Sequence, residues 1–200
     1  DILNPEYANF CGPSPLLLNA PDLRHALHPA LMYARSAADA TPNAKVCVAV
    51  CGYSEHELAA FSEQVGLPLL DGTAKLSDGQ VFISDLENTK GFEFKCVIIV
   101  NCANGVVPNP HAPEEEAFRD LSRLYVAMTR ARQQLVISYC GAPSSLVVGQ
   151  RTHFAEDSWD RYFPMPPPEN NFLLPVRLEQ LRASEAPTEF AMQTGEQYLY

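Results

Sequence analysis

Four consecutive β-branched residues, Val97-Ile98-Ile99-Val100, restrict the fold of this chain more than any other feature of its sequence. A run with no polar alternation does not suit a half-exposed antiparallel strand; it reads as a central parallel strand covered on both faces. The surrounding pattern agrees. Pro15-Leu16-Leu17-Leu18 reads as a short buried strand. Pro21-Asp22 opens a helical stretch to about Ala38, with Pro29 expected to kink or restart it. Lys45 to Cys51 is a second strand, Ser54 a candidate N-cap, and Glu55 to Val65 a helix closed by Gly66. Val81 to Leu86 and Cys96 to Asn101 are further strands. After a loop from Asn104 to Pro113, a long helix is expected from Glu114 to about Arg132, and Leu135 to Tyr139 as the strand after it. Three carboxylates in that helix's first turn suit its dipole and need no catalytic reading. Such alternation predicts an α/β fold, a parallel sheet with helices on both faces.

Composition sets limits on function. The 200 residues are 46% hydrophobic, enough for one α/β domain followed by a tail. No apolar run of about eighteen residues is present to span a bilayer, and the N-terminal residues do not resemble a signal peptide, so a cytoplasmic setting without membrane contact is expected. The lack of an initiating Met suggests a piece of something longer. The six cysteines show no CxxC or zinc-finger spacing and sit mainly in apolar runs, where a thiol behaves as a small hydrophobe in a reducing compartment. A formal charge of −10 argues against binding nucleic acid by overall electrostatics, so any such contact must be local. From Gly141 the pattern decays, and residues 144–200 are expected to form a tail, partly extended at Pro164-Met165-Pro166-Pro167-Pro168. Its aromatic patch (Phe154, Trp159, Tyr162, Phe163) is expected to pack back on the domain.

Two segments carry chemistry. The first is residues 84–94, between two strands, where Gly91 is free to adopt backbone shapes that other residues resist. Turns at strand ends of open α/β sheets bind ligands, and Glu93 is placed to accept hydrogen bonds from sugar hydroxyls. An ordinary turn with a surface Glu explains the same residues. The second is Arg123 to Arg132. At about 100° per residue, Leu121, Leu124, Tyr125 and Met128 fall on one helical stripe, and Arg119, Arg123, Ala127 and Arg130 on nearly the opposite one. Small Ala127 between two arginines leaves room for something flat or anionic, although three arginines on one solvated face also occur by chance.

Together these segments resemble a pair of signatures of UvrD/Rep-like superfamily 1 DNA helicases. Thr89-Lys90-Gly91-Phe92-Glu93-Phe94 before Val97-Ile98-Ile99 is similar to motif V, here spanning 84–94. Leu124-Tyr125-Val126-Ala127-Met128-Thr129-Arg130-Ala131-Arg132 is similar to motif VI, here within 123–135. The resemblance implies a RecA-like, P-loop-NTPase-type sheet over residues 1–143, the second of two such domains that sandwich ATP. It makes Arg130 the arginine finger to the γ-phosphate. It assigns the nucleotide ribose to Glu93, with Gly91 allowing close approach. Arg123 is a weaker second candidate for nucleotide contact, since the family position is usually apolar, and Arg132 is expected to turn toward the core. Partners implied are an N-terminal RecA-like domain in the same protein, which would hold most of the ATP and Mg²⁺, and single-stranded DNA.

Departures qualify the resemblance. Thr and His are frequent in the family where this chain has Asp85 and Glu87, and Gly52-Tyr53-Ser54 replaces an Arg/Asn-rich turn. Those positions touch DNA, and carboxylates repel phosphate, so the DNA grip is expected to be weaker or differently built. The stretch between Gly66 and Val81 is too short for the large inserted domain of many relatives. The sequence contains no GxxxxGK[ST], so the chain lacks its own P-loop and is expected to be inactive as an ATPase alone. Two other readings compete: a metal-dependent nuclease using Asp85, Glu93 and Lys95, and a degenerate helicase-like module that only binds proteins.

Overall fold

The computed structural model describes residues 12–169. Six parallel strands form one sheet: β1 (Leu16–Ala20), β2 (Val46–Val50), β3 (Val81–Ser84), β4 (Phe94–Val100), β5 (Ala131–Cys140) and β6 (Ala155–Ser158). Their order is β3-β2-β4-β5-β1-β6, so the β-branched run of β4 lies inside the sheet, between β2 and β5. Side chains alternate across a strand. Cys96, Ile98 and Val100 of β4 therefore enter one core layer, and Val97 and Ile99 the other. Helices α1 (Leu23–Asp39) and α2 (Glu55–Val65) cover the first layer, and α3 (Glu114–Thr129) the second. This is the expected RecA-like α/β arrangement with helices on both faces.

The local signals act as the sequence suggests in most places. Ser54 caps α2, and a capping box with Glu57 satisfies two otherwise free N–H groups; Gly66 closes the helix at φ 66°. Asp22 caps α1 by accepting from the His25 N–H at 2.9 Å. Pro29 does not restart α1, which is continuous from Leu23 to Asp39. The proline removes one hydrogen bond, but it is itself buried, and Ala26, Leu27, Ala30, Leu31 and Ala34 hold the helix on the sheet through that turn.

The boundary of the tail differs from expectation. Residues beyond 144 do not leave the domain at once: α4 (Ser145–Val148) buries Val147, and β6 pairs with β1 from Leu16↔Ala155 to Asn19↔Ser158. Helix α5 (Trp159–Tyr162) then buries Trp159, whose indole N–H donates to Ser138 Oγ at 2.7 Å. Tyr33 of α1 packs edge-on against Trp159 and Phe163. The aromatic patch thus packs back as anticipated. Strand β6 reads Ala-Glu-Asp-Ser and joins through backbone pairing at a sheet edge, so it leaves no apolar trace in the sequence. At the other edge, the Leu70 N–H donates to the Ile83 carbonyl and the Ile83 N–H to the Pro68 carbonyl, which covers β3. The Pro-rich stretch lies at 164–168 without regular structure, and the remainder of the expected tail, from residue 170, falls outside the described residues, as do residues 1–11.

Candidate functional site

Parallel pairing dictates the geometry of the site. Strands β3 and β4 both run parallel to β2, so residues 85–93 must travel from the C-terminal end of β3 back to the N-terminal end of β4. The segment is a crossover, not a turn confined to one strand end. Asp85 and Glu87 therefore start at one end of the sheet and Glu93 finishes at the other. Helix α3 makes the same journey, beginning near the C-terminal strand ends at Glu114 and ending at Thr129 beside the start of β5.

At the N-terminal ends of β4 and β5 the backbones of the two motif-bearing segments meet. The Phe94 N–H donates to the Arg130 carbonyl at 2.9 Å, which places the residue after Glu93 against the C-cap of α3. Arg130 folds along the helix end, Nε donating to the Val126 carbonyl at 3.2 Å and Nη2 to Thr129 Oγ1 at 3.1 Å. The helix is shorter than expected: Arg130 is its cap and Ala131 already belongs to β5. The register slips between Phe94↔Ala131 and Cys96↔Gln134, a bulge that redirects side chains next to it. Arg132 accordingly stands exposed, not toward the core, and pairs with Glu93 at 3.6 Å. Gly91, at φ 86°, supplies the left-handed turn that leads into Glu93. A recess of about 640 Å³ beside the pair is lined by Thr41, Asn43, Lys45, Glu93, Lys95 and Arg132. The grouping of Lys45, Lys95 and Arg132 around one recess has no signal in the sequence, because their three elements meet only in the fold.

Arg123 stands apart from this edge, about two helical turns from Arg130. Its Nε donates to Glu87 Oε2 at 2.8 Å, and its Nη1 to Glu116 Oε1 at 2.5 Å and Asp120 Oδ1 at 3.3 Å. Arg123, the second residue expected at the nucleotide, thus lies within a cluster of three carboxylates. The hydrogen bond from Arg123 holds the Glu116 carboxyl below its ordinary range, and that from Glu116 in turn raises the guanidinium. A cleft of about 460 Å³ lies here, lined among others by Tyr53, Glu55, Asp85, Glu87, Asp120 and Arg123. Asp85 accepts from the Asn88 N–H at 2.7 Å and from Asn88 Nδ2 at 3.1 Å, fixing the first bend of the crossover. The nuclease triad is not assembled: Asp85 and Glu93 sit at opposite ends of the crossover, and the Lys95 ammonium bonds Thr41 Oγ1.

The helical wheel of α3 needs a correction. Ala127 is fully buried against the sheet together with Leu124, with Met128 packed beside them, so Ala127 is not an open platform between arginines. A small residue at that point lets the helix approach the strands closely. Leu121 and Tyr125 instead face outward with Phe118, at 43%, 67% and 69% exposure. They form an exposed apolar stripe along one face of α3.

This arrangement has counterparts among known proteins. Residues 49–142 match the sequence pattern of the family described as UvrD-like helicase C-terminal domain. Residues 49–142 form a UvrD-like domain. Both the crossover and α3 fall inside it. Two relatives described as ATP-dependent DNA helicase Rep, from Buchnera aphidicola subspecies Acyrthosiphon pisum and Schizaphis graminum, are 34% and 32% identical over 71 and 82 residues. The matches cover 35% and 40% of this chain but only 11% and 12% of those helicases. The UvrD-like fold also superposes on the crystal structure of the C-terminal domain of a possible DNA helicase from Lactobacillus plantarum, with a TM-score of 0.52 at 16% identity. That alignment covers 72% of this chain and 86% of the other.

Proposed function

We propose that this UvrD-like domain is the second RecA-like motor domain of an ATP-dependent DNA helicase, working on an ATP site completed by an N-terminal RecA-like domain of the same protein. The observation that carries the reading is the Phe94 to Arg130 backbone bond, which joins the ribose-reading segment and the arginine finger at one end of the sheet. Arg130 is the finger: its permanent charge would offset negative charge spreading over the transferred phosphoryl group. Glu93, an exposed carboxylate, would accept from the ribose hydroxyls, with Gly91 allowing the chain to come close. Bound ATP with Mg²⁺ supplies the phosphoryl chemistry, and the partner domain holds most of both. Among the described residues no cluster of three or more His, Cys, Asp or Glu could hold a metal ion. Among the described residues, five free cysteines, four of them buried, support a cytoplasmic setting, and no helix there is long and apolar enough to cross a membrane.

The test is steady-state ATP hydrolysis by the full-length protein on single-stranded DNA. Arg130→Ala should lower turnover roughly 10³-fold while changing nucleotide affinity much less. Unchanged turnover removes the finger assignment, and a full-length protein without ATPase activity leaves the protein-binding module as the better reading.

A further inference from the structure

Arg123 occupies a position that the nucleotide chemistry leaves unexplained. Two of its three carboxylate partners, Glu116 and Asp120, lie on its own helix. The third does not. Glu87 belongs to the crossover, so the 2.8 Å bond between Arg123 Nε and Glu87 Oε2 ties α3 to residues 85–93.

The crossover is built to transmit such a restraint. The Asn88 N–H bonds Asp85, the Lys90 N–H donates to the Glu87 carbonyl at 3.0 Å, Thr89 Oγ1 to the Leu86 carbonyl at 2.8 Å, and the Phe92 N–H to the Thr89 carbonyl at 3.3 Å. Leu86 and Thr89 are buried. Successive local bonds of this kind leave little slack between Glu87 and Glu93. Along α3, the helical ladder joins Arg123 to Arg130 just as firmly.

We propose that Arg123 is a positioning residue for the ATP reaction, clamping the crossover to α3 at the Glu87 end while the Phe94 to Arg130 bond clamps them at the other. The two clamps fix Glu93 relative to Arg130. Glu116 and Asp120 serve to aim the guanidinium at Glu87. This rests on the reading of Glu93 and Arg130 given above.

The experiment is a double-mutant cycle on the full-length protein, measuring kcat and KM for ATP of Arg123→Gln, Glu87→Gln and the pair. Each single variant should lower kcat and raise KM together, by about 10-fold in kcat/KM, since the finger and the ribose contact are displaced as one. The pair should be no worse than either alone. Arg123→Lys, which keeps the charge but not the fork, should recover to within about 3-fold of the parent. Additive losses, or kcat/KM within about 2-fold of the parent for both single variants, overturn the clamp. If Arg123→Gln fails to fold, Glu87→Gln, which alters a largely exposed carboxylate, still decides the matter by the same criterion. Arg130→Ala in the same assay separates the two claims. Loss of turnover there with Arg123→Gln unaffected sinks the clamp alone; no loss with Arg130→Ala sinks the parent reading.

Discussion

Glu93 and Arg132 form an ion pair at 3.6 Å across the bulged start of β5, with both side chains largely open to solvent. Such an exposed pair is weak, so Glu93 is available to a competing donor. In the full-length protein, Glu93→Gln should raise KM for ATP by about 10-fold, the loss of a charge-assisted hydrogen bond. With 2′,3′-dideoxy-ATP the same substitution should have little effect. An equal effect on both nucleotides excludes the ribose contact.

Trp159 anchors the sixth strand. Trp159→Ala should cost about 3–5 kcal/mol of unfolding free energy in urea, the range for a buried aromatic truncated to a methyl. Trp159→Phe keeps most of the packing and loses the bond to Ser138, so it should cost about 1–2 kcal/mol. A loss below about 1 kcal/mol for the alanine variant would mean that β6 and α5 are dispensable to the fold.

How far the sequence disclosed this can be judged from particular elements. Helix α2 was legible to the residue, because its cap, its capping box and its terminal glycine are all local interactions. The β-branched run placed β4 in the middle of the sheet for an equally simple reason, burial on both faces. Strand β6 is not legible: backbone pairing holds it to β1, and an alanine followed by three polar residues carries no pattern. At the site, periodicity put Ala127 among the arginines, yet the fold seats α3 on that residue, and the stripe of Leu121 and Tyr125 faces out. Only contact with the sheet fixes the rotation of a helix whose apolar residues lie on more than one side. The bond between Arg123 and Glu87 leaves no sequence signal, because the two residues are remote in sequence and come near only through the crossover.

The cleft at the C-terminal strand ends carries more carboxylates than cations. If DNA crosses it in the full-length protein, Glu55→Gln combined with Asp85→Asn should tighten binding of single-stranded oligonucleotide, with the larger gain at low salt. Affinity unchanged at every salt concentration would show that DNA takes another path.

Glu116 links stability to pH. Its carboxyl is held below its ordinary value near 4.5 by Arg123, so the folded state favours the ionised form. The contribution is present above that value and is lost as pH falls through the lowered one. Denaturation midpoints measured from neutral pH down into the acid range should therefore fall less steeply for Glu116→Gln than for the parent. Parallel pH profiles would show that the ion pair adds nothing to stability.

Burial raises the Cys47 thiol far above its usual range and the Cys96 thiol to about 12. Cys51, hydrogen-bonded to Cys102, is raised as well. At mildly alkaline pH these thiols should resist alkylation in the native protein and react on addition of denaturant, as peptide mass mapping would record. Rapid native labelling of Cys47 or Cys96 would contradict their burial.

A single residue, Arg130, separates the last turn of α3 from the first pairing of β5. A connection so short has no play. If phosphate chemistry pulls on that arginine, the pull cannot be absorbed by a bending loop; it passes directly into a strand bonded on both sides, β4 and β1. The sheet would then answer as a unit, and a displacement at Arg130 would be shared with the neighbouring strands instead of being lost in a loop.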